Sequence, residues 1–443
     1  MELRDLIVTP VFFILFFIVA YIIRPYLTDD TTRVYYYPAL LVKIFGALAL
    51  GFIYQFYYSG GDTYNFHTHG SRIIWEAFMD SPLTGLSMIL SNGEHSPEFY
   101  NYSSRIYFFT DSSSFVVIRL AAIVDILTFS SYSATALFFA FFSFIGGWFL
   151  FLTFYKRYPK IHLWIAMGCL FIPSVFFWGS GILKDTLVVG CIGLLTWLID
   201  ELFIEKRISI SKILGFVILV WLIFSVKKFM LQAYIPAAII WIYLSNVDRI
   251  YSFVIRIMIL PIAIIFAFVG AYFSAVKIGE DDPRYALENI AQTSQVTAKD
   301  IRFQSGRDAG SGYELSSYFD GSVGSALRLA PEGINVTLFR PYLWEVKNPL
   351  MLISALESTI LLIFTIFIAV RKGYGALFKI LNPEVAFTFA FSLVYAFAAG
   401  ISTYNFGTLA RYKIPILPFY FLGLIIVYNL VKERKLAELE TTE

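Results

Sequence analysis

The sequence is poor in cysteine and in charge. Only two cysteines, Cys169 and Cys191, occur in 443 residues, and both lie inside apolar runs. This placement argues against a disulfide framework or a CxxC site and favours small apolar packing. Charged residues make up 15% of the chain, with a net charge of +2. So small a net charge gives no indication of a nucleic-acid partner or an acidic tail.

Apolar residues are abundant. They form 58% of the chain, aromatic residues form 19%, and the mean hydropathy is +0.70, which indicates a polytopic membrane protein. Runs of about 17 to 25 apolar residues can span a bilayer, and these runs lack period-2 alternation, so the sequence predicts an all-α transmembrane helical bundle and excludes a barrel. The first run lacks a basic n-region and a small-residue cleavage site, which favours a retained helix over a signal peptide. The predicted spans, about eleven in number, are 6–23, 38–58, 132–154, 161–180, 184–204, 211–227, 229–245, 250–276, 349–370, 383–402 and 412–431.

One further apolar stretch, 114–129, carries Arg119 and Asp125. A charge at a helix centre costs about 2.5 to 3.5 kcal/mol on insertion scales, so, with both side chains taken as unpaired, we expect an interfacial or half-buried helix. If this stretch does not cross, Asp62 lies on the outer face of the membrane. If it does cross, Asp62 is cytoplasmic.

Lys and Arg in short loops favour the cytoplasm, and this rule predicts the orientation. If spans alternate from residue 132 onward, the basic loop clusters fall on one side, which we assign to the cytoplasm. The outer face then receives the turn 178–186, the segment 277–348 and the stretch 403–413. The basic clusters are Lys156, Arg157 and Lys160; Lys206, Arg207 and Lys212; Arg371, Lys372 and Lys379; and Lys432, Arg434 and Lys435.

The whole chain, 1–443, is expected to form a single integral membrane domain with two larger outer segments. The first, 59–113, begins with the polar stretch "GGDTYNFHTHG". The second, 277–348, is rich in Gly and Ser and far longer than the usual connection of about 4 to 6 residues, so we expect a lid or binding loop.

Several motifs carry a resemblance to a known superfamily. A membrane helix followed by "GGD", a loop ending in "VVIRLAAIVDIL", and then "FYKRYPKIHLW" and "FIPSVFFWGSGILKDTLVVG" resemble the N-terminal half of the GT-C glycosyltransferases. These include protein O-mannosyltransferases and bacterial aminoarabinose and mannose transferases, which use polyprenyl-phosphate sugars. The resemblance covers 38–200 and extends to "GTLARYKIPILPF"; it implies that Asp62 and Asp185 are the catalytic acids. The chain departs from the pattern in having Thr63 after Asp62, and in the additional helix at 6–23.

Glycosyl transfer to a hydroxyl needs a general base for the acceptor proton and cations for the leaving phosphate. Asp62 is our candidate base, and its alternative role is that of a helix-end residue in a Gly-Gly-Asp turn. His67 and His69, together with Asp62, form a candidate ligand set for a divalent metal ion such as Zn²⁺. Hydrogen bonding in a wet loop is the alternative for the two histidines.

Five cations near predicted outer helix ends are candidates for phosphate or substrate binding. The two arginines lie in aromatic, Pro-containing settings and could clamp a phosphate bidentately, whereas a lysine would act as a point charge. The alternative for each is a side chain that snorkels to the membrane surface. The five are Lys184, Lys227, Lys228, Arg340 and Arg411.

We therefore expect a membrane glycosyltransferase that moves a sugar from a polyprenyl-phosphate donor to a glycan, lipid or protein acceptor. Its expected location is the bacterial inner membrane with the active site facing outward, among membrane lipids and without a nucleic-acid partner. One alternative is a protein like the O-antigen or exopolysaccharide polymerases and ligases. An alternative of another class is a transporter or an envelope-complex scaffold; apart from Arg256, few charges lie deep in the predicted spans and no inverted repeat is visible, which disfavours transport.

Overall fold

A computed structural model describes residues 2–247, 312–313, 315–316, 323–372, 382–403 and 405–440. The prediction of an all-α polytopic helical bundle is confirmed: the structure is 81% helical, and no strand occurs in the described ranges. The helices are α1 (Leu3–Leu27), α2 (Arg33–Phe56), α3 (Asp62–Phe66), α4 (Arg72–Asp80), α5 (Pro82–Leu90), α6 (Tyr100–Ser103), α7 (Ser112–Thr128), α8 (Tyr132–Tyr155), α9 (His162–Leu170), α10 (Pro173–Trp178), α11 (Lys184–Ile199), α12 (Ile210–Asn246), α13 (Val323–Phe339), α14 (Pro349–Lys372), α15 (Pro383–Ser402), α16 (Phe406–Tyr412) and α17 (Leu417–Glu440).

The described residues contain fewer candidate membrane spans than the sequence predicts for that part of the chain. Among the described residues, seven helices are long and apolar enough to cross a membrane, or eight if the bent pair α16 and α17 is one span. The predicted spans 211–227 and 229–245 both fall within α12, and a kink at Lys227, where the backbone leaves helical geometry (φ −145°, ψ 79°), separates the two parts of this helix. The predicted span 250–276 lies outside the described residues, as does the first part of the 277–348 segment up to residue 311.

Two other predicted spans are broken, and proline accounts for both breaks. The span 161–180 separates into α9 and α10, because Pro173 has no amide hydrogen to continue a helix from α9. The span 412–431 begins with a turn that contains Pro415, and α16 and α17 meet there at 64°. Hydropathy alone does not register such interruptions.

The chain groups into two compact units, which we describe separately. The first unit comprises Met1–Phe154, Val175–Trp197 and Leu214–Lys227. The second comprises Tyr155–Ser174, Leu198–Ile213 and Lys228–Glu443.

In the first unit, α8 and α11 cross at a glycine contact. Gly146 of α8 faces Gly190 and Gly193 of α11, and a Cβ on Gly146 or Gly193 would collide with the backbone of the facing helix. Such close backbone approach is characteristic of membrane helix pairs with small residues at the interface. In the second unit, α13 packs on α15, and Gly333 and Gly400 meet in the same way.

Both ends of α7 lie at one end of the first unit. The residue before it, Asp111, lies 3.7 Å from Lys184 at the start of α11, and Lys184 also interacts electrostatically with Asp62 at the start of α3. The next residue of α3, Thr63, is hydrogen-bonded to Tyr132 at the start of α8 (2.8 Å). α7 ends just before α8 begins, so both termini of α7 lie at this end of the unit. The helix therefore does not cross the unit to its opposite end. This geometry agrees with the expectation that 114–129 is not a span.

The premise of that expectation, however, is wrong. Asp125 is fully buried and accepts hydrogen bonds from Ser71 Oγ (2.6 Å) and Thr135 Oγ1 (2.5 Å). Arg119 lies over the ring of Phe115 (5.3 Å) and donates to a loop carbonyl. Neither side chain is unpaired, because α3, α4 and α5 pack on α7 and Thr135 of the span α8 reaches Asp125.

Candidate functional site

The "GGD" stretch forms a turn that only glycine accommodates well. Gly60 and Gly61 have φ angles of 132° and 128°, in the region that L side chains rarely adopt. A Cβ on Gly61 would also lie 2.7 Å from the ring of Tyr54. The turn ends α2 and starts α3 at Asp62, a half-buried residue whose carboxylate is favoured by the helix N-terminus. The structure thus shows the helix-end geometry that the alternative role of Asp62 required.

Five charged residues gather at this end of the first unit, and we call them the acid–lysine cluster. Lys184 is central: its Nζ donates to Ser113 Oγ (2.7 Å), lies 3.7 Å from Asp111 Oδ2, and interacts electrostatically with three other members. The predicted residues Asp62, Lys184, Asp185 and Lys227 are therefore brought together. The members of the acid–lysine cluster are Asp62, Asp111, Lys184, Asp185 and Lys227.

Asp185 and Lys227 form a buried ion pair within the cluster. Lys227 Nζ donates to Asp185 Oδ1, and the two side chains are 6% and 1% exposed respectively. Lys227 is also the point at which α12 leaves helical geometry. This arrangement makes Asp185 the counter-ion of Lys227 and gives no support to the expectation that Asp185 is a catalytic acid.

Asp111 is a cluster member that the sequence analysis missed. Its carboxylate caps α7 by accepting from the Ser113 amide (3.2 Å) and from the hydroxyls of Ser113 (2.9 Å) and Ser114 (2.7 Å). Burial alone would raise the pKa of Asp111, but Lys184 and these hydrogen bonds outweigh burial and hold it below its ordinary value. The "DSSS" stretch signals a helix cap, and only the fold shows that the cap also meets a lysine.

The two candidate metal ligands point to different environments. His67 is fully buried, with Nε2 at 3.4 Å from Asp125 Oδ1, whereas His69 is exposed. Within the described ranges, no group of three or more His, Cys, Asp or Glu side chains could hold a metal ion. The metal hypothesis therefore has no support from this part of the chain.

A buried lysine deep in a span was also missed. Lys43, near the middle of α2, is 3% exposed and donates to Ser143 Oγ (2.9 Å), Val175 O (3.1 Å) and Gly179 O (2.9 Å). Val175 lies within α10, and Gly179 directly follows it. The statement that few charges lie deep in the spans therefore needs this correction.

The remaining predicted cations, Lys228, Arg340 and Arg411, belong to the second unit. Arg340 is paired with Glu345, and its guanidinium lies 5.2 to 5.9 Å from the centres of three aromatic rings. Burial alone would raise the pKa of Glu345, but Arg340 and a backbone amide bring it below its ordinary value. Arg340 is thus already neutralised, while Lys228 and Arg411 are half-buried and their phosphate role stays a prediction.

Buried polar contacts also occur near Arg411. Lys413, two residues further on, is 1% exposed and donates to Ser358 Oγ (2.7 Å). Ser174 donates through both its amide and its hydroxyl to Glu357. These contacts link Ser174, α14 and the turn after α16 within the second unit.

The long apolar helices define a polytopic α-helical integral membrane protein. Comparison of the chain with family models, curated proteins and solved structures finds no match.

Proposed function

We propose that the protein is a membrane glycosyltransferase that moves a sugar from a polyprenyl-phosphate donor to a hydroxyl acceptor at the outer face of the bacterial inner membrane. The observation that carries the proposal is the acid–lysine cluster, in which a half-buried carboxylate and lysine ammonium groups share one end of a membrane unit. The resemblance of the surrounding motifs to the GT-C enzymes supports the same chemistry.

The carboxylates of the cluster suit different roles. Asp185 is buried against Lys227, and Asp111 is engaged as the cap of α7 and as a partner of Lys184. Asp62 is half-buried at the start of α3, so an acceptor hydroxyl can approach it. Asp62 is therefore the base that the geometry favours.

The proposed reaction is a single displacement at the anomeric carbon. The acceptor oxygen forms a bond to the anomeric carbon while the bond between that carbon and the phosphate oxygen of the donor breaks. The electrons of the broken bond leave with the polyprenyl phosphate. Asp62 takes the acceptor proton, and Lys184 offsets the charge that develops on the departing phosphate. The low dielectric next to a bilayer strengthens both effects.

The test is a turnover assay on the purified protein in lipid nanodiscs. Polyprenyl-phosphate mannose, glucose and aminoarabinose are supplied in turn with simple glycoside acceptors, and the release of polyprenyl phosphate is measured. Asp62→Asn keeps the shape but removes the base, so we expect donor binding to persist and turnover to fall about 10²-fold to 10⁴-fold.

Glu98→Gln is the matched control, because Glu98 is an exposed acid in the same 59–113 segment and the change is again acid to amide. We expect turnover of this variant to equal that of the wild type. Full turnover in Asp62→Asn would remove Asp62 as the base. Failure of every donor with the wild-type protein would remove the transferase proposal as a whole for this donor class.

A further inference from the structure

A groove of about 720 Å³ lies where α1 connects to α2, at the end of the first unit opposite the acid–lysine cluster. Both helices are candidate membrane spans, joined by residues 28–32, so this connection lies at a membrane surface. Its volume falls in the range of pockets that hold small molecules, about 300 to 1,000 Å³. The residues that matter most in its lining are Tyr21, Ile22, Arg24, Asp29, Asp30 and Arg33.

The floor of the groove is held in place by hydrogen bonds. Asp29 Oδ1 accepts from the amides of Thr31 (3.0 Å) and Thr32 (2.7 Å) and from Thr32 Oγ1 (2.8 Å). The indole of Trp148 donates to Leu27 O (3.3 Å). The charge of Asp29 is therefore used within the turn, and the turn is preorganised.

Among the described residues that line the groove, Arg24 has a guanidinium available for a ligand. Arg33 pairs with Asp30 at 3.0 Å. Arg24 lies with its guanidinium carbon 4.9 Å from the ring centre of Tyr37, and its N–H groups make no hydrogen bond or ion pair to any residue that the structure describes. A planar fork of this kind matches a phosphate or phosphodiester bidentately.

An apolar stripe leads away from the groove along α1. Ile14, Ile18 and Ile22 are four residues apart, so they lie on one helix face, and they are 58%, 50% and 59% exposed. Ile22 lines the groove itself, and the stripe extends about 12 Å from it at 1.5 Å per residue. An anionic headgroup in the groove would thus have an apolar track for its attached chain.

We propose that this groove binds a membrane phospholipid, with its phosphodiester on the Arg24 guanidinium and an acyl chain along Ile14, Ile18 and Ile22. A soluble phosphate ester would use only the guanidinium, whereas a phospholipid uses both features. The site is separate from the acid–lysine cluster and does not depend on the glycosyltransferase proposal.

The experiment is a lipid titration of the delipidated, detergent-solubilised full chain, with bound phosphatidylglycerol counted by native mass spectrometry. Arg24→Gln removes the charge-assisted hydrogen bonds, so we expect one tightly bound lipid to be lost, with a weakening of about tenfold to hundredfold. Arg24→Lys keeps the charge without the fork and should fall between the two.

Arg371→Gln is the matched control, because Arg371 also ends a candidate span and also lies over an aromatic ring, that of Phe367 at 5.2 Å. We expect this variant to bind lipid as the wild type does. Equal lipid retention by Arg24→Gln and the wild type would overturn the proposal.

A second arm separates a lipid from a soluble phosphodiester. Glycerophosphoglycerol, which has the headgroup without acyl chains, should fail to displace the bound lipid at equal concentration. Ile18→Gln should weaken lipid binding while the fold, followed by thermal unfolding, is retained. Displacement by the chain-free headgroup, together with no effect of Ile18→Gln, would contradict the acyl-chain part and reduce the groove to a phosphodiester site.

Discussion

The buried ion pair between Asp185 and Lys227 allows a quantitative test of how the acid–lysine cluster is held. Asp185→Asn keeps the shape of the side chain but leaves the Lys227 ammonium without its counter-ion in a position that is only 6% exposed. Breaking a buried pair in this way costs about 3 to 5 kcal/mol. That is a large part of the roughly 5 to 15 kcal/mol by which folded proteins are stable.

The double variant Asp185→Leu with Lys227→Met removes both charges, so it distinguishes loss of the ion pair from the cost of leaving one buried charge unpaired. Well-packed apolar residues in place of a buried ion pair are often neutral or stabilising, by up to about 4 kcal/mol. If Asp185→Leu and Lys227→Met alone each lose about 3 to 5 kcal/mol, additivity would predict a loss of about 6 to 10 kcal/mol. We expect instead a double variant close to the wild type, and therefore a coupling energy of several kcal/mol.

The free energy of unfolding is measured by titrating dodecyl maltoside micelles with sodium dodecyl sulfate and following helix content by circular dichroism. The control is Glu76→Gln, because Glu76 and Arg105 in the same unit also form an ion pair (2.9 Å) but are 37% and 53% exposed. We expect it to cost no more than about 1 kcal/mol. A loss in Asp185→Asn as small as in Glu76→Gln, or a double variant as unstable as the singles, would refute the reasoning.

Three further predictions follow from the same geometry. In the folded protein the pKa of Asp111 is held below its ordinary 3.8. The ionised carboxylate therefore contributes its full stability above about pH 4, and this contribution is lost as the pH falls through the pKa of the folded state. Asp111→Asn should lack this acid-dependent loss of thermal stability. Gly61→Ala should cost more stability than Gly60→Ala, since both have positive φ and only Gly61 also faces a ring within 3 Å; thermal unfolding of the two variants compares them. Tyr107→Cys should react with an impermeant thiol reagent from outside, and Asp30→Cys only after lysis. The two positions are exposed at opposite ends of the first unit, and the native cysteines are buried.

The fold class follows from the sequence because long apolar runs can only be helices in a bilayer. The interruptions follow less directly. Pro173 and Pro415 are visible in the sequence, but hydropathy averages over them, and the predicted spans were drawn through or beside them. The break at Lys227 falls where the predicted spans 211–227 and 229–245 meet, because two lysines interrupt the apolar run there, but the buried pairing of Lys227 with Asp185 on another helix has no local signal.

Part of the candidate site could be predicted for a similar reason. Asp62 and Lys184 begin helices α3 and α11 after turn motifs, and such positions are recognisable in a sequence. Asp111 has an equally clear cap signature, but its proximity to Lys184 depends on how α7 lies within the unit. The two histidines illustrate the reverse case, because with Asp62 they form a candidate metal-ligand set in the sequence, whereas the helical stretch after α3 buries His67 and exposes His69.

Lys43 bears on the choice between a transferase and a transporter. A charge near the middle of a span suggests a substrate or ion pathway by default. Here the ammonium is 3% exposed, and its acceptors are one hydroxyl and the carbonyls of Val175 and Gly179. Carbonyls near a helix C-terminus carry partial negative charge, and Val175 O accepts from the Gly179 amide (3.2 Å) as well as from Lys43, so the buried ammonium stabilises the end of α10. The turn that follows α10 leads directly to Lys184, so Lys43 helps to hold the acid–lysine cluster in place. This structural role for a charge within a span favours the transferase proposal over transport.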